Sequence, residues 1–372
     1  MKVAVNALPA YPGAAGIGRY AANVAHSLIR YGEGTETVIL THQGSEFAGM
    51  TLPGRVRTAL CRPTGPLWEQ LQLPGILQEY GADLYHSPLF TVPIARACKQ
   101  LATIHDVIPE KMPECVPSDF LALYRSYFRP CLRAVDAVLT VSDYSRRDIG
   151  QLEGLDGKSV HVAYQALSEQ FTAERARADE ERVRRKLGTS YRHFLYIGSI
   201  EPRKNVIPLV EAFHLLQEQA KDVHLVLGGR RLFADYDPMA RASELGMDAK
   251  VHYLGYVDDE DLPGLYAGAE LLAYPSSYEG FGLPVAEALA CGCPVVTAPN
   301  TSLPEAGGEA AVYADPRDQH ALAEAMLMLL EDRAQRERRI ALGLRHAAQF
   351  TRERFAQQLL EVYRRVLEGG EA

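Results

Sequence analysis

Residues 273–296 read AYPSSYEGFGLPVAEALACGCPVV. An apolar run ends near Pro275, a glycine-bearing turn spans 276–282, and Pro284 falls early in a helical segment, where its missing N–H is no loss. Strand, tight turn and helix in that order is the working unit of a parallel sheet, and ligands favour its strand-to-helix edge. Gly280 and Gly282 allow backbone to approach a bound group closely, and the open N–H groups of a helix start favour an anion such as a diphosphate.

Outward from this stretch the same rhythm holds in both directions. Toward the N-terminus, VAVNAL, TVIL, ADLYH, LATIHD and DAVLTVS alternate with helical patterns over 15–31, 66–80 and 117–134. The rhythm breaks at 168–187, SEQFTAERARADEERVRRKL, which is highly charged and lacks a strand. It resumes with HFLYIGS, VHLVLGG, KVHYLGY, ELLAYPS, CPVVTAP and AAVYA. The reading is an α/β chain of two Rossmann-like doubly wound domains: 1–168, a linker over 169–190, a second domain over 191–350, and a terminal helix over 351–372. That helix repeats Phe355, Leu359, Val362, Tyr363 and Val366 on one face.

Composition narrows the function. The 372 residues are 47% hydrophobic, enough for two cores, and the net charge is −8. Residues 1–165 hold 15 basic and 15 acidic side chains and the remainder 24 and 32, which argues against a nucleic-acid partner. No apolar run reaches the roughly 18–20 residues that span a bilayer. Six irregularly spaced cysteines and a strand-like start point to a cytoplasmic protein.

Several residues carry chemistry. Glu279 and Glu287, eight apart, can meet one ligand from the turn and from the helix, as acceptors for sugar and ribose hydroxyls; an exposed helix acid is the competing reading for Glu287. In YIGSIEPRKNV, 196–206, Arg203 and Lys204 oppose a helix dipole unless a phosphate joins them; two solvated cations is the plain alternative. Gly16, Gly18 and Ala21 match a dinucleotide fingerprint, but no acidic ribose ligand follows TVIL, which disfavours a dehydrogenase. His105 and Asp106 follow the strand LATI and are expected at the C-terminal edge of the first sheet, facing the second lobe across a cleft. Ser87, Ser142 and Tyr144 hold similar strand-end positions.

The remaining acid, thiol and arginine patterns have structural readings. Asp235-x-Asp237 and Asp259-x-Asp261 read as helix caps rather than metal ligands, and Cys291 and Cys293 as buried thiols. Arg125, Arg129 and Arg133 form one stripe, read as a solvated face with an anionic membrane surface as the competing partner.

Taken together, the chain resembles a retaining glycosyltransferase of family 4, in its bacterial mannosyltransferase-like branch. Glu279-GFGLPVA-Glu287 matches the family's E-x7-E motif, supported in order by GIGRY, HDVIP, VSDYSRRDI, GSIEPRKN and LPEAGGEAAVYADPRD. The resemblance implies a GT-B fold, a nucleotide-sugar donor bound mainly by the second lobe, an acceptor bound mainly by the first, and no metal or cofactor. It assigns Arg203 and Lys204 to the donor diphosphate, Glu279 with Gly280, Phe281, Gly282 and Leu283 to the sugar, and Glu287 to ribose. Gly16 and Gly18 would line the phosphate, His105 would approach the sugar's distal hydroxyl, and Val257 and Asp259 would meet the base, with GDP-mannose preferred. Some relatives carry a second arginine where this chain has Ser199.

The expected reaction moves a hexose to a glycan or lipid-linked acceptor, with possible contact at the inner membrane face. Front-face transfer is expected, with Asp106 and Glu279 as the candidate nucleophiles for a double displacement instead. A UDP-sugar donor, a sugar-nucleotide epimerase and a silent sugar-binding subunit are the competing hypotheses.

Overall fold

The inner apolar runs become strands because they are buried on both faces, as a parallel sheet covered by helices requires. The computed structural model describes all residues except 12, 14–15, 63–66, 156 and 370–372. The chain divides into two units, one of Met1–Ala166 with the C-terminal stretch from Phe350, the other of Leu167–Gln349.

The first unit holds β1 (Lys2–Asn6), β2 (Glu36–Thr41), β3 (Val56–Leu60), β4 (Leu84–Ser87), β5 (Lys99–Thr103), β6 (Ala137–Thr140) and β7 (Val160–Val162). All pair in parallel in the order β3-β2-β1-β4-β5-β6-β7. The outer strands β3 and β7 are absent from the sequence reading. β3, VRTAL, has a half-exposed edge pattern, and β7 has only three residues, so neither shows the continuous apolar run of the inner strands. The helix Ile17–Tyr31 buries Tyr20, Ala21, Val24, Ala25 and Leu28. Against it lies the C-terminal helix Arg352–Glu368, which buries Phe355, Leu359, Val362, Tyr363 and Val366.

The second unit holds β8 (His193–Ile197), β9 (His224–Gly228), β10 (Val251–Gly255), β11 (Leu271–Tyr274), β12 (Val295–Thr297) and β13 (Val312–Tyr313), again all parallel, in the order β10-β9-β8-β11-β12-β13. Both sheets reverse direction of winding once, between β1 and β4 and between β8 and β11. Crossover connections diverge at such a point and leave a crevice beyond the strand ends.

The charged stretch read as a linker over 169–190 carries the helix Ala173–Leu187, capped by Thr172 and stopped by Gly188 in the left-handed region. It belongs to the second unit and packs on the helix Leu262–Gly268. Close approach depends on Gly264, where a Cβ would lie 2.7 Å from a Val183 methyl and 2.9 Å from Asp179 backbone. Charge alone therefore misleads here, because one narrow face, Ala176 and Val183, is buried.

Candidate active site

The winding reversal of the second sheet places the loop after β8 beside the loop after β11. Asn205 joins them: it takes a left-handed conformation (φ 53°), and its Nδ2 donates to the Pro275 carbonyl at 2.8 Å and to Ser277 Oγ at 2.7 Å. The Ser277 N–H donates back to the Arg203 carbonyl at 2.8 Å. This staple fixes the turn Pro202–Lys204 against the glycine turn that precedes the helix Leu283–Ala290.

Arg203 and Lys204 are buried, so the reading as solvated surface cations is overturned. Both converge on one oxygen of Glu279: Arg203 Nη1 lies 3.1 Å from Oε1, and Lys204 Nζ forms a short ion pair with the same atom. Tyr274, the last residue of β11, donates its hydroxyl to that oxygen at 3.1 Å. The ammonium of Lys204 also stands over the Tyr274 ring, 4.8 Å from its centre. Glu201 holds the far side of Arg203, accepting from Nη2 at 2.7 Å and from Ser199 Oγ at 2.7 Å. Ser199 thus serves the carboxylate that aims Arg203.

The electrostatics follow from this packing. Burial works to raise the Glu279 carboxyl, but the Lys204 and Arg203 charges outweigh it and hold the group at about 2. Burial lowers Lys204 below the ordinary ammonium range, opposed by Glu279. Burial and the nearby Glu279 charge keep Tyr274 protonated, as its role as donor requires. Two cations, two carboxylates and a phenol make an arrangement whose charges balance internally. The sequence places the cations and Glu279 on different parts of a ligand, whereas in the fold they touch one another.

Farther along, Gly282 takes φ 105° at the start of its helix, where a Cβ would sit 2.9 Å from Leu303. Gly280 and Phe281 are buried and Leu283 is half-buried. The Glu279 backbone is held on both sides, its N–H donating to Thr301 Oγ1 at 3.2 Å and its carbonyl accepting from Ser302 Oγ at 2.8 Å. Glu287 is only 1% exposed and accepts from the Tyr266 hydroxyl at 3.1 Å, which overturns the surface-acid alternative. Val257 is buried beside Gly228, and the carbonyl of Asp259 accepts from Gln170 Nε2 at 2.9 Å.

The paired aspartates divide. Asp237 caps its helix, accepting from the Met239 and Ala240 N–H groups at 3.0 and 3.3 Å. Asp261 occupies the cap position without capping: its carboxylate takes Arg182 Nη1 at 2.8 Å and Lys186 Nζ at 2.5 Å. The capping expectation is corrected there, because the helix Ala173–Leu187 brings two cations that compete better than backbone N–H groups. No cluster of three or more metal-ligating side chains occurs among the described residues.

In the first unit, Gly16 opens the helix Ile17–Tyr31 with φ 51° and Gly18 is buried in its first turn. Of that glycine stretch, Pro12, Ala14 and Ala15 lie outside the described residues. His105 is half-buried beyond β5, and its Nε2 donates to the Pro88 carbonyl at 3.0 Å, which leaves Nδ1 as the lone-pair nitrogen. Burial lowers its pKa to about 4, so the ring is neutral at pH 7. Asp106 turns back, its Oδ1 accepting from the Ile108 N–H at 3.0 Å. Ser142 caps the helix Asp143–Ile149.

His86 on β4 is fully buried and has no counterpart in the sequence reading; burial and then the neighbouring His105 lower its pKa to about 3. A buried neutral imidazole binds its proton only after unfolding. Between pH 6.5 and about 3 the unfolded chain therefore takes up a proton that the folded one does not, and stability falls as pH drops through that window. The share from His86 is about 2 kcal/mol between pH 7.5 and 5. Urea unfolding at those two pH values checks it, with a smaller difference expected for His86→Gln.

Residues 178–345 match the family model described as Glycosyl transferases group 1, and residues 14–170 match Glycosyltransferase Family 4. The O-antigen chain mannosyltransferase B of Escherichia coli is 38% identical over 291 residues, covering 77% of this chain and 76% of that protein. Among solved structures, sucrose-phosphate synthase from Thermosynechococcus elongatus aligns with a TM-score of 0.74 at 20% identity over 100% of both chains. Anabaena HepE in complex with UDP and glucose aligns with 0.73 at 21% identity, over 98% of this chain and 99% of that one. Both share the two-unit GT-B fold. With the two family models matched one after the other along its length, the chain belongs to the family 4 glycosyltransferases and is a glycosyltransferase.

Proposed function

We propose that this enzyme moves mannose from GDP-mannose to a hydroxyl of a growing surface polysaccharide of the O-antigen kind, retaining the configuration at the sugar and needing no metal. The observation that carries the reading is the cluster of Arg203 and Lys204 on Glu279 at the winding reversal of the second sheet. The 38% identity to an O-antigen mannosyltransferase supports mannose and the polymer class.

As the bond between sugar and diphosphate breaks, negative charge grows on the leaving group. Arg203 and Lys204 supply the matching charge from a buried, pre-set position, which stands in for a metal ion. Glu279, held by two cations well below the ordinary carboxylate range, is a weak nucleophile. Asp106 spends an oxygen on its own turn. Both facts support front-face transfer, in which the leaving phosphate oxygen takes the acceptor proton, over double displacement. Glu287, desolvated and aimed by Tyr266, is suited to a ribose diol.

Thermal-shift titration with GDP, UDP and ADP tests the base, with GDP expected to raise the melting temperature most. A larger shift with UDP would move the donor to a UDP-sugar. Transfer from labelled GDP-mannose in excess chelator tests the rest, and conversion of donor without acceptor would instead mark an epimerase.

The helix Ser118–Ala134 supports peripheral membrane contact, since Phe120 and Leu123 are exposed on it together with Arg125 and Arg133, while Arg129 is tied to Glu110. No helix among the described residues is long and apolar enough to cross a membrane. Reversing the charge of Arg125 and Arg133 is expected to weaken sedimentation with anionic liposomes.

A further inference from the structure

The C-terminal helix carries a buried hydroxyl that the transfer chemistry above does not use. Tyr363 OH lies 2.7 Å from His86 Nδ1, and His86 Nε2 lies 2.9 Å from Thr103 Oγ1. Thr103 Oγ1 lies 3.1 Å from Tyr20 OH. All four side chains are at 0% exposure. The chain of contacts therefore crosses the core of the first unit, from the last helix, through β4 and β5, to the first helix.

A neutral imidazole has one donor and one acceptor nitrogen, and each hydroxyl can do both, so the three bonds can be satisfied in either direction. Such a network is costly to bury and offers little net stability over an apolar filling of the same shape. What it does provide is orientation, because every ring in it is held by a directional bond at its polar end as well as by packing.

The end of the line is His105. The Tyr20 ring stands edge-on to the His105 ring, with centres 4.6 Å apart and planes at 88°. Phe355 of the C-terminal helix packs on the same Tyr20 at 5.9 Å. The other constraint on His105, the Pro88 carbonyl, lies only two residues beyond His86 on the same strand end. Thr103 is likewise two residues before His105. The network thus grips the ring plane through Tyr20, and grips the strand ends on which His105 and its hydrogen-bond partner sit. Its output is the direction in which the His105 Nδ1 lone pair points.

We propose that Tyr363 and His86 are positioning residues for the transfer reaction, acting through Thr103 and Tyr20 to set the ring of His105. The proposal rests on the reading that His105 meets the donor sugar during transfer. It also gives the Tyr of the GIGRY motif a role distinct from that of the glycines: Tyr20 ties the first helix to the ring of His105. The C-terminal helix becomes part of the working apparatus through one hydroxyl, beyond its contribution to the core.

The test is a double-mutant cycle on the full chain, with Tyr363→Phe, His105→Ala and their combination, read as kcat and donor KM together with melting temperature. Tyr363→Phe removes one oxygen and is expected to lower kcat about tenfold with donor KM nearly unchanged. In the His105→Ala background the same substitution is expected to change kcat less than twofold, because its route to the chemistry is gone. Thr103→Val breaks the line one link closer to Tyr20 and is expected to repeat both results. Losses that multiply in the double variant would overturn the proposal, since a general loss of packing acts regardless of residue 105. A His105→Ala enzyme with undiminished kcat would instead remove the reading on which it rests, and the proposal with it.

Discussion

Lys204→Met is expected to lower kcat/KM for transfer by about 10²–10³-fold, the scale seen when one pre-set charge or donor is taken from a developing anion. The substitution keeps an unbranched side chain of similar bulk and removes the ammonium with its charge and donors. Glu279→Gln is expected to cost comparably, by a different route. Glu279 is the anion that lets a buried Lys204 stay charged, for burial already pulls that ammonium below its ordinary range. Without the carboxylate, Lys204 loses its counter-charge and shifts further down, so less of it is protonated at pH 7. A lysine with a depressed pKa is charged only below that pKa. The residual activity of Glu279→Gln should therefore rise, relative to the parent enzyme, as pH is lowered from about 8 to 6. A pH profile of kcat/KM for the two proteins decides this, and parallel profiles would rule the coupling out. Breaking such a buried pair also costs about 3–5 kcal/mol of stability, so both assays need the folded fraction measured alongside.

Gly229→Ala is expected to destabilise the second unit through the backbone alone. Gly229 follows β9 with φ 141°, a region closed to side chains, and a Cβ there would lie 1.7 Å from the carbonyl oxygen of Gly198. Gly198 directly follows β8 and opens the turn leading to Glu201, Arg203 and Lys204. The two backbones meet because the Gly198 N–H donates to the Gly228 carbonyl at 3.0 Å while the Gly229 N–H donates to the Gly255 carbonyl at 2.7 Å. A methyl group cannot be placed without pushing one strand end away. The expected cost is about 3 kcal/mol or more, a fall of roughly 6–12 °C in melting temperature. Because the displaced strand end carries the cationic turn, the nucleotide-induced shift should shrink as well. Gly188→Ala offers the comparison, since its φ is also positive (69°) but nothing lies within 4 Å of its Cβ.

These two expectations depend on the sequence in different ways. Lys204 and Glu279 stand out in the chain because cations before a helix and a glutamate in a glycine turn are unfavourable unless something charged meets them. That the something is in part each other was not readable, since they are 75 residues apart and come together only through the order of strands. The same holds for Tyr274 and Glu201. Tyr274 reads as one more apolar residue in ELLAYPS, and Glu201 as one more acid in GSIEPRKN, until packing gives both a bond to the cationic pair. Gly229 reads as a turn glycine, and its actual constraint, a neighbouring backbone, belongs to another strand.

Local patterns were sufficient wherever one element satisfies its own needs. The inner strands are recognisable because burial on both faces demands an unbroken apolar run, and the Asp237 cap because its partners are two and three residues away. The patterns failed where a distant element competes. Asp261 was drawn from its helix by Arg182 and Lys186, the charged stretch 173–187 was held as a helix by the glycines at 264 and 268, and the edge strands β3 and β7 were formed by neighbours rather than by their own composition.

The chain alone therefore carries the α/β class, the two-unit division and the glycine turn at 273–296 with its two glutamates, because period, punctuation and charge placement are properties of neighbours in sequence. Which charges share an oxygen, which acid is buried and which tyrosine reaches His86 were settled by folding, because a hydrogen bond needs an atom within about 3 Å, and only the parallel winding of each sheet brings those atoms that close.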